Sequence, residues 1–353
     1  VVILEGMVAD LPISADDMAL DLARRQKGYG RGPRMAIEQD KAQILAGVRH
    51  GKTMGSPIAL LIPNRDWENW KEVMAVETPT REVEPLTHPR PGHADLAGVL
   101  KYGLKDVRPI LERASARETA ARVAVGAICR CLLSKLDMKI HSHTRSIGGI
   151  WAKDVEIDWK KVESSPLRCA DAEAEQKMVA KIEQVKQAGD SLGGVAEIIA
   201  LGVPPGLGGH TNWERRLDGR LAQACMSIPA VKGVELGLGF EQTQLLGSQV
   251  HDVILPGLHR PTNRAGGIEG GISNGQPIWG RLAVKPIPTL ATPLSSVDLA
   301  TGRPVQAHYE RSDICVVPAA GVVAEAMTAF VLAQAFLEKF GGDNLQETKR
   351  NFE

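Results

Sequence analysis

Two stretches of this chain read as long helices that are apolar on nearly every face, and such helices are stable only when other layers cover them. Leu111–Leu136 reads as one long helix, and Thr119–Leu133 within it is apolar apart from Arg122 and Arg130. Ala319–Phe340 reads as a second helix and is almost wholly apolar. Neither holds an unbroken apolar run near the ~18 residues of a membrane span, so both are expected inside a protein core. Short strand-like runs surround each helix, which suggests two similar halves around one core. With 353 residues and no low-complexity tract or clear linker, residues 1–353 are read as one domain.

The other elements follow from local signals. Residues 1–6 read as a strand. Ser14 reads as the N-cap of a helix with Asp16 and Asp17 in its first turn, running to about Gln26 and ending at Gly28. Met35–Gln39, Ile44–Val48 and Ile58–Ile62 alternate as strands, and Trp67 and Trp70 are expected to anchor a surface loop. Residues 140–165 read as strands and loops, and 171–188 as a charged amphipathic helix. Val195–Val203 reads as a strand, Pro204–Gly209 as a turn, Trp213–Ser227 as a helix, and Val231–Phe240 as strand and turn.

Charge and cysteine usage narrow the function classes. Lys+Arg and Asp+Glu both total 42, and only 4% of residues are aromatic. A nucleic-acid binder is expected to show a basic excess and aromatics for base stacking. Five cysteines, an odd number with no metal-site spacing, point to a reduced, cytoplasmic protein. No signal peptide pattern is visible. His50, His88, His141, His143, His210, His251, His259 and His308 read as surface or structural, and no metal is assigned to His141-x-His143 because no third ligand has fitting spacing.

Several polar stretches carry chemistry. Arg90-Pro91-Gly92-His93-Ala94-Asp95 places a titratable histidine and a carboxylate on a stiff turn. Its plain alternative is a structural turn with a surface histidine. Residues 24–34 hold four arginines and three glycines, suited to a carboxylate or phosphate ligand. The segment lacks a Walker A ending and no strand precedes it, and a solvated basic loop is the alternative. Glu112–Thr119 opens the first long helix with N–H groups that favour an anion. Thr262–Gly275 reads as a glycine-dense ligand loop, and Lys285–Thr289 as a stiff segment presenting one cation and one hydroxyl.

Taken in order, these stretches resemble the chorismate synthases. The resemblance rests on residues 25–34, Arg90–Asp95, Glu112–Thr119, Lys232-Gly233-Val234-Glu235, Thr262–Gly275, Lys285–Thr289 and Arg311-Ser312-Asp313, spread over essentially the whole chain. It implies an α+β fold, a β-α-β sandwich with long central helices between two outer antiparallel sheets, and a homotetramer. It also implies conversion of 5-enolpyruvylshikimate 3-phosphate to chorismate plus phosphate. That reaction is an anti 1,4-elimination requiring reduced FMN and is the last common step of aromatic amino acid biosynthesis.

By the same resemblance, Arg25, Arg31, Arg34, Arg90 and Arg117 bind the substrate's anionic groups. In bifunctional members Arg25 and Arg31 are the positions associated with NADPH. His93 sets the protonation of the flavin, and Asp313 lies near flavin N5 and assists removal of the ring hydrogen. FMN is held by Ser115, Ala116, Arg117, Pro229, Ala230, Gly270, Lys285, Pro286, Ile287, Pro288, Thr289 and Arg311. Ala114 and Pro229 depart from common family residues, a serine and a Gln or Asn. A second catalytic histidine, in a Gly-Glu-Ser-His-Gly motif, is expected upstream of Val1 in the natural protein. The monofunctional form, supplied with reduced flavin by an external reductase, is favoured over the NADPH-dependent bifunctional one. A non-enzymatic polyanion- or RNA-binding module is the remaining alternative.

Overall fold

The computed structural model describes residues 1–32, 40–78, 81–310 and 313–353. The expected strand Met35–Gln39 and the candidate residues Arg34 and Arg311 lie outside them.

The Val317–Phe340 helix is the axis of the molecule. Pro318 sits in its first turn, where no intrahelical N–H is needed. Every residue from Val317 to Ala326 is buried. In length and composition the helix matches a membrane span although its longest unbroken apolar run is short, but 78% of its most apolar window is buried inside the protein. The Ala15–Gln26, Thr119–Ser134 and Leu217–Met226 helices and the strands Lys139–Ile147 and Gly194–Leu201 pack against it. Small residues permit this. A Cβ on Gly126 would overlap Ala326, and one on Gly321 would lie 2.8 Å from the Ser142 hydroxyl.

Helix starts follow side-chain capping. Ser14 and Asp17 form the capping box of the Ala15–Gln26 helix, Asp171 caps Ala172–Gln187, and Asn344 caps Leu345–Phe352. The five-stranded antiparallel sheet runs Ile150–Trp151, Lys139–Ile147, Gly194–Leu201, Ile278–Val284, Val231–Leu236. Its register aligns His143, Glu197, Arg281 and Glu235 across four strands. Glu197 takes His143 at 2.9 Å and Arg281 at 2.8 Å, a charge-complementary row. His141 stacks on Trp159 with centroids 4.4 Å apart. A three-stranded sheet places Ile58–Leu61 between Val2–Leu4 and Gln43–Ala46, and the Thr119–Ser134 helix meets it at Val2–Leu4. Helices and antiparallel sheets thus mix as α+β.

The single helix expected over Leu111–Leu136 is broken. Arg108–Arg113 forms a short helix, Ala116–Glu118 a 3-10 turn, and Thr119–Ser134 the long helix. Ser115 causes the break: it is extended (φ −61°, ψ 134°) and its hydroxyl accepts from the Arg117 N–H. Serine at a cap competes with helix continuation. Trp213–Ser227 breaks likewise at Arg216, between a 3-10 turn and the Leu217–Met226 helix. Trp67 and Trp70 lie on one short helical turn, tied by the Trp70 indole N–H to Asp66.

The apolar axis carries one fully buried carboxylate, Glu325. Arg24 (2.8 Å), Arg130 (2.6 Å), Arg168 (2.9 Å) and the Ser142 hydroxyl (2.7 Å) converge on it from two helices, a loop and a strand. Burial alone would raise its carboxyl pKa, but the three guanidiniums outweigh that and hold it below the ordinary value. Glu325→Gln is expected to cost about 3 kcal/mol of unfolding free energy near neutral pH, because the buried arginines lose their counter-charge. With the folded pKa depressed, that contribution is full above the ordinary value of 4.5 and is lost as pH falls below it. Urea unfolding of wild type and variant over this range measures it. A stability difference that is absent at neutral pH, or that does not shrink in acid, contradicts the account.

Candidate active site

The first turns of the axial helix do not end in solvent. Val316, Ala319, Ala320 and Val323 form the apolar floor of a cleft of about 510 Å³. Leu111 and Ile228 extend that surface. The walls come from chain segments far apart in sequence: Arg25 and Arg31–Gly32, the 90–94 loop, the broken helix start at 114–119, Pro229–Ala230, Lys285 with 287–289, and Asp313. Ala230 is held in the left-handed region (φ 71°), which an alanine adopts only under constraint from its surroundings.

Carboxylates stand behind the cleft's basic side chains. Asp95, buried at the start of the Asp95–Tyr102 helix, accepts from the Arg90 backbone N–H at 3.0 Å and Arg90 Nε at 2.9 Å. It also hydrogen-bonds His93 Nδ1. Burial would raise its pKa, but these bonds from His93 and Arg90 prevail and hold the carboxyl well below the usual range. Arg90 Nη1 also donates to the Thr289 hydroxyl at 3.1 Å. The loop turns at Gly92 (φ 77°), whose carbonyl accepts from Lys285 Nζ. His93 is therefore a held group: Asp95 and Arg90 fix its ring.

Asp313 accepts from Arg31 Nη1 at 2.9 Å and from the Gly32 N–H. Asp40 accepts from Arg25 Nη2 at 2.6 Å and from Arg117 Nη1. Arg117 reaches the Pro63 carbonyl at 3.0 Å. Arg25 is 4% exposed, and its Nε has no hydrogen-bond partner among the described residues. Leaving a buried donor unmet costs about 1–3 kcal/mol.

The structure gathers most of the residues singled out from sequence. Arg25, Arg31, Arg90, His93, Ser115, Ala116, Arg117, Pro229, Ala230, Lys285, Ile287, Pro288, Thr289 and Asp313 all line the cleft. Pro286 does not; its ring packs instead near Gly193. Gly270 also lies apart, in the turn of the hairpin Ile268–Glu269 and Ile272–Ser273, with open space beside it. Arg34 and Arg311 fall outside the described residues. Residues 24–31 are no solvated basic loop, since Arg24, Arg25 and Arg31 are buried or nearly so in ion pairs. Sequence reasoning passed over Asp40, Glu310 and the apolar floor, and named Thr119 only as the end of the Glu112–Thr119 stretch. Asp40 carried a usable signal, a carboxylate shortly after an arginine cluster with no basic neighbour but Lys41.

An apolar floor under a rim of arginines, a lysine and a held histidine suits a ligand with an apolar face and several anionic groups. The comparisons with known proteins agree in kind. The family model described as chorismate synthase matches residues 1–337. The chorismate synthase of Moorella thermoacetica is 58% identical over 351 residues, covering 98% of this chain and 91% of that protein. That of Aquifex aeolicus is 56% identical over 371 aligned positions, covering 99% and 92%. A crystal structure of chorismate synthase matches with TM-score 0.78 and 45% identity, over 99% of this chain and 91% of that one. The chain thus belongs to the chorismate synthase family of lyases.

Proposed function

We propose that the cleft catalyses the anti 1,4-elimination of phosphate from 5-enolpyruvylshikimate 3-phosphate, giving chorismate, with reduced FMN bound beside the substrate. The observation that carries this reading is the convergence of Arg25, Arg31, Arg90 and Arg117, with His93 and Asp313, on one apolar-floored cleft. The substrate carries a phosphate and two carboxylates, and guanidinium forks match both groups. Arginines already oriented by buried carboxylates stabilise the charge that gathers on a departing phosphate without reorganising.

The residues present fit a flavin. Ser115, Ala116, Arg117, Pro229, Ala230, Lys285, Ile287, Pro288 and Thr289 would hold it over the floor formed by Ala319, Ala320 and Val323. When bound, reduced FMN supplies electron density that eases departure of the phosphate. His93, its ring fixed by Asp95 and Arg90, stands at the cleft wall beside the bound ligands. Asp313, fixed by Arg31 and the Gly32 N–H, is the carboxylate assigned to the ring hydrogen. The ring proton leaves with the help of the Asp313 carboxylate, the C–H electron pair becomes a new ring double bond, the existing ring double bond shifts, and phosphate departs with the C–O pair, so no net oxidation results.

The same reading carries the wider assignments. A β-α-β sandwich accords with the five-stranded sheet on the axial helix and the three-stranded sheet at the Thr119–Ser134 helix. A homotetramer accords with exposed Phe240, Leu246 and Leu258. A reducing cytoplasm accords with five free cysteines. Arg25 and Arg31 line the same cleft, so NADPH use in a bifunctional form would share it, and the form supplied by an external flavin reductase is preferred.

Anaerobic incubation of the full natural protein with reduced FMN and the substrate is expected to release phosphate and chorismate in equal amounts. No product under these conditions sinks the assignment. His93→Ala is expected to lower kcat by a factor of about a hundred or more while moving the unfolding midpoint little, since the ring is partly exposed. A variant that unfolds while its residual folded fraction keeps full activity would make His93 structural.

A further inference from the structure

Asp40 lies where two cleft arginines meet, and no step above uses it. Its side chain is only 1% exposed. One carboxylate oxygen takes Arg25 Nη2 at 2.6 Å and the other takes Arg117 Nη1. Its own N–H donates to the Gln26 side-chain carbonyl at 3.4 Å, at the end of the helix that carries Arg25. Arg117 comes from a different element, the 3-10 turn ahead of the Thr119–Ser134 helix. Two guanidiniums from separate parts of the fold therefore share one buried carboxylate. Without it, two like charges would repel in a site with little solvent to screen them. Both side chains line the cleft.

We propose that Asp40 is a positioning residue that sets Arg25 and Arg117 as a paired fork for a single phosphate group. The proposal rests on the reading of the cleft as the site of a phosphorylated substrate. A tetrahedral phosphate has acceptor oxygens for two forks at once, and the entropic cost of binding falls when both are already oriented. Charge alone argues the other way. A carboxylate behind the arginines lowers the positive potential and weakens attraction for an anion. The sign of the change on removing that carboxylate separates orientation from charge.

Titration calorimetry of the full protein with inorganic phosphate, at a temperature where circular dichroism reports a folded protein, reads that sign. Asp40→Asn is expected to weaken phosphate binding roughly tenfold, although it makes the site more positive. Asp40→Glu keeps the charge but moves it by one methylene, and is expected to weaken binding in the same direction. Tighter or unchanged binding in Asp40→Asn overturns the proposal. If that variant does not fold, unchanged affinity in Asp40→Glu overturns it instead. Wild-type protein that binds no phosphate overturns both this role and the phosphate reading of the cleft. Wild-type binding that both variants match overturns the role of Asp40 alone.

Discussion

The structure depends on one buried carboxylate. Glu325 sits in the buried first half of the axial helix, among apolar residues, and draws Arg24, Arg130 and Arg168 to it. A buried ion network is weak evidence for stability, since desolvation of each charge opposes the attraction between them. Its effect here is geometric. Close packing of small residues, as between Gly126 and Ala326, brings the layers together without choosing one register. The guanidiniums choose it, because each must reach the same pair of oxygens. Arg24 fixes the Ala15–Gln26 helix in place, and the next residue, Arg25, enters the cleft.

The same device recurs at smaller scale in the site. Asp95 holds Arg90 and His93, Asp313 holds Arg31, and Asp40 holds Arg25 and Arg117. Arginine has many rotamers and loses considerable entropy when fixed. Fixing it during folding, against a buried acid, removes that cost from substrate binding. The cleft is therefore rich in cations without being loose, and its floor at Val316, Ala319, Ala320 and Val323 is apolar.

Much of this was legible in the sequence, for definite reasons. Ser14 with Asp17 marks a helix start through chemistry local to four residues, and the structure begins the helix one residue later. All-round apolarity placed the axial helix in the core without any partner being known. The break at Ser115 was not legible, because residues 108–118 carry no glycine and no proline beyond Pro109 to mark a stop, while the capping bond is a matter of conformation. Glu325 was hidden by its surroundings: a single acid in an apolar run gives no sign of three arginines drawn from distant residues. Asp40 left one local signal, its place shortly after the arginine cluster, but nothing local names its partners Arg25 and Arg117, 15 and 77 residues away. Gly270 carries no chain-local sign of which cleft it would face, and it lies apart from the one described.

The central claim is that this cleft, with its acid-backed arginines, holds the phosphate that leaves. The most direct measurement is a crystal structure of the full natural protein with 5-enolpyruvylshikimate 3-phosphate and FMN. The account predicts the substrate phosphate within hydrogen-bonding distance of guanidiniums among Arg25, Arg31, Arg90 and Arg117, with His93 and Asp313 facing the ligands. Substrate bound elsewhere, or bound in this cleft with its phosphate turned to solvent and away from all of these arginines, would contradict it.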